Sequence, residues 1–442
     1  MKYKFFLPIL LLLFAACGPD GSAITDMVSM SQVDITLSGD GDLSGFSVTL
    51  RNVQTGSVFE STTNADASVS FAVTPGIYEA TATGKRASDG IAYSYNGTSG
   101  QLTVLKGSIT TATIAMRCAR QSQVVIKEVY NGGCLKDDGV TKFQYDKCII
   151  LYNNSSQTAS LSNLCIGEAS PANAQQQNKN IDASGRLTYE SEGFIPVWNG
   201  IWYFPSVLEI EPYSQIVINV HGAIDNTLTV SQSVNYANAD YYCMYDPESG
   251  YNNTNYYPTP SAVIPTSHYL RAIEIGQGNG WALSVTSPAL IVFQTHDITP
   301  TAYAANADNI WYDGGQTGNK VWACFKVPTQ WIVDGIEVFS SGYKDSSTKR
   351  LTADVDAGYV WLTNYQGHSL YRNVDAEATR ALPENEGLLV EGYTGGVDDS
   401  TDPSGIDAEA SMRRGAHIIF QDTNLSTNDF HERRRCSLTI DN

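Results

Sequence analysis

Six aromatic side chains set in two polar insertions are the residues with the most evident chemistry. Trp198 and Trp202 lie in the stretch 194–204, which packs five aromatics into eleven positions. Tyr241, Tyr242, Tyr256 and Tyr257 lie in 236–269, which holds eight tyrosines among Asn, Pro, Ser and Gly. Rigid rings beside small, adaptable polar residues make good contact surfaces, because little side-chain entropy is lost when a ligand docks. Such rings stack on sugars or on an aromatic chelate. The competing expectation is that they cap a hydrophobic core, the commoner use of bulky aromatics.

Other chemistries find little support. There is no Gly-x-Ser-x-Gly elbow, no phosphate loop with Gly-Lys-Ser/Thr and no His-Glu-x-x-His. Gly276-Gln277-Gly278-Asn279-Gly280-Trp281 misses the dinucleotide pattern at its last position and reads as a turn before a strand at 281–285. The six histidines (221, 268, 296, 368, 417 and 431) follow no ligand spacing. Asp398, Asp399, Asp402, Asp407 and Glu409, and the Asp354-Val355-Asp356-Ala357-Gly358 run, carry hard oxygens suited to Ca²⁺ but complete no known spacing. They read as solvated acidic loops, so no cofactor and no metal site is expected, and the chain reads as non-enzymatic.

Cysteine spacing supplies one covalent expectation. Of the eight cysteines, none sits in Cys-x-x-Cys spacing. Cys134 and Cys148 bracket a polar excursion between two apolar runs and are expected to pair in an oxidising compartment. Closing a loop of that length stabilises by about 3 kcal/mol on the chain-entropy model.

The first sixteen residues read as a targeting leader. Lys2 and Lys4 precede an apolar run from Phe5 to Phe14, and Ala15-Ala16-Cys17 follows. Ten residues are too few to span a bilayer, which takes roughly 20. The Phe-Ala-Ala-Cys-Gly junction resembles a bacterial lipobox. That resemblance implies cleavage after residue 16, acylation of Cys17 and membrane lipid as a partner, held by chains worth about 0.8 kcal/mol per buried CH₂. Residues 17–32 are small and polar and read as a tether. The implied address is the outer membrane, at the cell surface rather than its periplasmic face.

Composition and pattern describe what must position these groups. The 442 residues include 25 Tyr and 37 Gly, with only 17% charged residues, a β-rich extracytoplasmic composition. The formal charge of −19 repels phosphate backbones and anionic membranes, which argues against a nucleic-acid partner. Val33, Ile35 and Leu37, and Val69, Phe71 and Val73, alternate with polar residues as half-buried strands do. With turns at 38–41, 54–56, 64–66 and 74–76 they predict a seven-strand sandwich over 33–117, joined by a short 119–121 linker to a larger unit over 122–442. In the latter, Val124 to Tyr130, Cys148 to Asn153 and Leu161 to Ile166 read as consecutive strands. Residues 172–192 read as a solvated Gln/Asn-rich loop. Helical periodicity is nearly absent beyond a turn or two at 376–382.

Two resemblances sharpen this all-β reading. Thr62 to Asp66, Phe71 and Pro75-Gly76-Ile77-Tyr78 resemble prealbumin-like and carboxypeptidase regulatory-like domains, which implies a spacer or docking module. Ile126-Lys127-Glu128-Val129, Leu151-Tyr152-Asn153, Leu161-Ser162-Asn163, Ser369-Leu370-Tyr371-Arg372 and the 422–430 segment resemble the opening and closing motifs of lamin-tail-type β-sandwiches. The whole layout resembles uncharacterised Bacteroidota outer-membrane lipoproteins. It implies a lipid-anchored protein that captures an unknown glycan or chelate beside a TonB-dependent transporter. The alternative is a surface adhesin or structural envelope protein; a carbohydrate-active or nuclease-accessory enzyme is the third reading.

Overall fold

The computed structural model describes residues 30–88, 91–120 and 122–439. The expected leader, Cys17 and all but the last residues of the expected tether lie outside the described residues.

The N-terminal unit is two packed sheets, as alternation predicts. Ser68–Val73, Ser31–Ser38 and Ile109–Ala115 form one sheet, with Ser31–Ser38 antiparallel to the first and parallel to the last. Val58–Thr62, Ser47–Asn52, Gly76–Ser88, Ile91–Val104 and Arg117–Arg120 form the other. The alternating apolar residues, among them Val33, Ile35, Val48, Leu50, Phe71 and Tyr78, meet between them. The expected linker is an eighth strand instead: Ala119 and Arg120 pair with Ser94 and Tyr93. The unsatisfied edge of Ile91–Val104 recruits those residues into the ladder.

The larger unit is a second, wider sandwich. Its six-stranded sheet runs Tyr242–Cys243, Gln215–Asn219, Cys148–Asn153, Val124–Tyr130, Ser369–Arg372, Phe430–Arg433. Facing it is a sheet ordered Ile310–Tyr312, Ala323–Pro328, Phe194–Tyr203, Leu164–Ala169, Ala289–Gln294, Ile332–Ser340, Val360–Leu362, with Arg271–Ile273 added on Phe194–Tyr203. Ile126, Ile149, Leu151, Ile166, Leu290 and Ile336 interdigitate between the sheets. All seven residues of Val124–Tyr130 and all six of Cys148–Asn153 are buried. Alternation of buried and exposed positions is lost here because the outer face of the six-stranded sheet is also covered, so that even Lys127 and Glu128 are buried. Ile406, Ala408, Ile418 and Phe420 pack over Val125, Tyr152 and Tyr371.

Among the described residues the α-helices are few and short, Pro300–Ala305, Ala376–Arg380, Ala408–Arg413 and Ser426–Asp429, alongside single 3-10 turns. Among the described residues no helix is long and apolar enough to cross a membrane. The 281–285 stretch, expected as a strand, is irregular. The 172–192 segment is not a free solvated loop. Asn178 and Asn180 are buried, and their amides donate to the Lys349 carbonyl at 3.1 Å and the Asp313 carboxylate at 2.6 Å.

The acidic loops are drawn inward only in part: Asp354, Asp398 and Asp399 stay exposed as expected, while others are buried. Asp402 is buried and accepts from the Val374 and Ser404 amides at 2.9 and 2.8 Å. Asp407 caps Ala408–Arg413 through the Ala410 amide, and Glu409 pairs with the buried Lys127 at 2.5 Å. Asp356 is buried and accepts from the amides of Glu337, Gly358 and Ser426. These buried carboxylates are occupied in tying segments together, which is the usual condition for burying a charge. No group of three or more His, Cys, Asp or Glu able to hold a metal occurs among the described residues.

The expected disulfide is not formed; Cys134 and Cys148 are both free thiols, as are the other five described cysteines. Strand register separates them. Cys134 sits opposite Phe143 in a two-stranded hairpin and its thiol faces the Asp146 carboxylate at 4.0 Å. Cys148 opens a central strand opposite Tyr130 and Asn219, and its thiol faces Tyr236 and Cys436. Burial pushes the Cys134 thiol up to about 12, so it is unreactive at neutral pH. Native thiol labelling of residues 18–442 is therefore expected to modify the exposed Cys118 and spare the six buried cysteines until the chain unfolds. Recovery of a Cys134–Cys148 cross-linked peptide under non-reducing conditions would refute this placement.

Candidate functional site

The loops at one end of the larger sandwich converge on a run of rings. Tyr365 and Gly367 amides donate to the carbonyls of Gly132 and Gly133, each at 2.9 Å. The Gly222 amide donates to Tyr256 at 2.9 Å, and the Asn364 side chain to Val285 at 2.9 Å. The segments 131–147, 221–257, 279–287 and 363–367 are thereby tied together. Two glycines permit the fit. A Cβ on Gly222, whose φ is +71°, would lie 2.1 Å from the Tyr145 carbonyl oxygen, and one on Gly280 would lie 2.6 Å from the Tyr256 ring.

The rings form an outer and an inner layer. Outside, half-buried Phe143, Tyr145 and Tyr256 follow one another, with centroids 6.0 and 5.6 Å apart. Lys142 lies 4.1 Å over the half-buried Tyr365 ring beside them. Beneath Tyr256 the imidazole of His221 stacks at 4.4 Å with the rings 8° from parallel. Inside, Trp202 contacts Tyr251 and Tyr257 at 5.7 and 5.6 Å. The Trp281 amide donates to the Tyr257 hydroxyl at 3.0 Å.

A buried polar floor supports these rings. His221 Nε2 lies 2.9 Å from the Trp281 carbonyl; a carbonyl only accepts, so Nε2 carries the proton. Burial, and then the nearby Lys147 cation, hold this imidazole well below its ordinary range, so it is neutral. Lys147 donates to the Leu283 carbonyl, the Ser284 amide donates to Glu168 at 3.2 Å, and Asn131 donates to the Ser284 carbonyl at 3.0 Å. Burial pushes Glu168 up to about 8 and Lys147 down to about 8. Asp146 is pushed up to about 6 by burial while accepting from Ser233 at 2.7 Å and Tyr130 at 3.0 Å. Perturbed groups of this kind often mark catalysis. Here Glu168 and Asp146 are sealed from solvent and Lys147 nearly so, each bonded to a loop backbone or a neighbouring side chain, so their evident work is to hold the loop end in place.

The six expected contact residues do not converge on one surface. Tyr256 alone belongs to the outer ring run. Trp202 and Tyr257 are core residues of the sandwich, contrary to the expectation that they contact ligand. Trp198 is half-buried on Phe194–Tyr203 opposite Glu168. Tyr241 packs against the Tyr130, Cys148 and Cys436 cluster, and Tyr242 stacks on His268 at 4.2 Å beside Phe204. Phe143, Tyr145 and Tyr365 were not anticipated. The i, i+2 spacing of Phe143 and Tyr145 in an extended segment was the available signal, since it places both rings on one side.

Taken as a class, the chain is an all-β protein of two sandwiches with an aromatic loop end. A family profile described as a protein of unknown function (DUF4876) matches residues 211–386. The crystal structure of a DUF4876 family protein from Bacteroides thetaiotaomicron VPI-5482 is similar, with 21% identity and a TM-score of 0.52 over 90% of this chain and 94% of that one. At that identity the likeness extends to the fold alone. A Bacteroides ovatus protein described as a "putative adhesin" aligns over 53% of this chain and 99% of its own at 12% identity, with a TM-score of 0.18, too low to carry an argument. Among curated proteins none matches.

Proposed function

We propose that this chain is a lipid-anchored envelope protein that captures a ring-bearing ligand, a glycan or an aromatic chelate, at the loop end of its larger sandwich. The observation that carries the reading is the run of half-buried rings, Phe143, Tyr145 and Tyr256, the last of them backed by the stacked imidazole of His221. Stacking faces held in place before binding lose little entropy on docking. The leader and Cys17 supply the anchor in this reading, and a TonB-dependent transporter is the partner that would take the ligand onward.

The test is a glycan array and metal-chelate screen on residues 18–442, which retain every described residue. Once a ligand is found, Tyr145→Ala with Tyr256→Ala is expected to weaken binding roughly tenfold, about 1.4 kcal/mol, in line with two ring contacts. An affinity that survives the double substitution unchanged removes the ring run as the site. Pull-down of a barrel transporter from membranes tests the partner separately.

A further inference from the structure

We propose that the free tip of the N-terminal sandwich is a membrane-contact surface that rests on the bilayer in which the chain is anchored. This goes beyond ligand capture and rests on the anchored reading for the direction in which the membrane lies.

Eleven large apolar side chains are exposed among the described residues, and five of them gather at this tip: Met30, Val53, Val58, Leu105 and Ile109, between 45 and 67% exposed. Register places them together. Ser31 pairs with Val73, Gln32 with Ile109, Arg51 with Val58, Asn52 with Tyr78, and Gly76 with Val104, so the first or last residues of seven strands share one end. The tip is built rather than loose. The Ser31 hydroxyl donates to the Leu105 carbonyl at 2.7 Å and accepts from the Gly107 amide at 3.0 Å, while the Gln32 amide donates to Ser108 at 2.9 Å.

Charge points to the same occupant. The chain carries 46 acidic residues, yet the tip segments 30–33, 52–58, 73–77 and 104–109 contain none. Their one charged side chain is the exposed Lys106, between Leu105 and Ile109. Exposed aliphatic side chains flanking a lysine suit an anionic headgroup layer, where the apolar groups enter the acyl boundary and the ammonium meets phosphate. The hydrogen bonds and ion pairs to the larger sandwich are made from further along the same strands and their neighbours, by Lys85, Asn96 and Arg117. Cys17 precedes Met30 by thirteen residues, a contour of at most about 45 Å. An acylated Cys17 therefore holds Met30 and its tip, of all the folded chain, on the shortest leash to the bilayer.

The experiment is co-sedimentation of residues 18–442, which lack both leader and Cys17, with phosphatidylethanolamine–phosphatidylglycerol vesicles. The chain is expected to partition onto them, and Leu105→Gln with Ile109→Gln to partition at least tenfold less at an unchanged melting temperature. Failure of the parent to sediment, or equal sedimentation of the two, overturns the proposal. So does gel filtration showing a dimer that the double substitution dissolves, since a second copy would then be the occupant. Fatty-acid labelling of the full-length chain reads the anchor independently: an unlabelled chain that still sediments through its tip loses the anchor and keeps the contact surface.

Discussion

Arg372→Leu is expected to destabilise the larger sandwich by roughly 3–5 kcal/mol, the cost of breaking a buried ion pair from one side. The guanidinium is 1% exposed. It donates to the carbonyls of Ile126 and Gln421 at 2.7 and 2.9 Å and to the Asp334 carboxylate, with Asp422 and Asp429 at 3.7 and 3.8 Å. These contacts join a central strand of the six-stranded sheet to Ile332–Ser340 of the facing sheet and to the chain's last segments. Even with the arginine present, burial pushes Asp334 up to about 7 and Asp429 up to about 6. Both folded-state values lie above the unfolded value of about 3.9. Their favourable contribution is therefore full below pH 4 and is lost as pH rises through 6 to 7. Without the cation both values climb further, so the deficit of Arg372→Leu should be larger at pH 8 than at pH 5. Urea unfolding at the two pH values measures this. Equal deficits would show that the carboxylates are not held in check by Arg372.

Trp202→Ala is expected to cost about 3–5 kcal/mol as a large-to-small core substitution. The ring is fully buried and packs against Tyr251 and Tyr257, whose loops carry the outer rings above them. Its Nε1 has no hydrogen-bond partner among the described residues in its buried position. Trp202→Phe removes that unpaired donor together with some volume, so it should cost distinctly less than alanine. Thermal melts of the two variants, with Tyr256→Ala beside them, separate the two roles of the aromatics. A drop in melting temperature confined to Trp202→Ala marks the core; unchanged stability with lost ligand affinity would return Trp202 to the binding surface.

The strands that read most clearly from composition are those whose environment leaves one choice. Val124–Tyr130 and Cys148–Asn153 are largely β-branched and apolar and are covered on both faces, whereas the expected strand over 161–166 divides at a turn into Ala159–Leu161 and Leu164–Ala169. The N-terminal strands alternate because one face meets solvent. Which aromatics point outward was not legible, and one strand shows why. Trp198 and Trp202 are four residues apart and would share a face of a regular strand. Asn199 and Gly200 between them adopt φ of +57° and +97°. The partner strand advances only from Glu168 to Ile166 over the same interval, so two residues are absorbed in a bulge. An even number of inserted residues keeps both tryptophans on the face of Ile166 and Glu168, so depth along the strand separates them. Trp202 lies in the core opposite Ile166, while Trp198, beyond the bulge, is half-buried opposite Glu168.

The amino-acid order was enough to specify an all-β chain, its division into a smaller and a larger sandwich and the places of their central strands, because backbone preference and apolar period act over a few residues. Long-range register decided the rest. It drew Asp334, Asp422 and Asp429 around Arg372 from 38, 50 and 57 residues away, kept Cys134 from Cys148, and chose which tyrosines face water. Such choices depend on which strand lies beside which, and that is settled only when the sheets close.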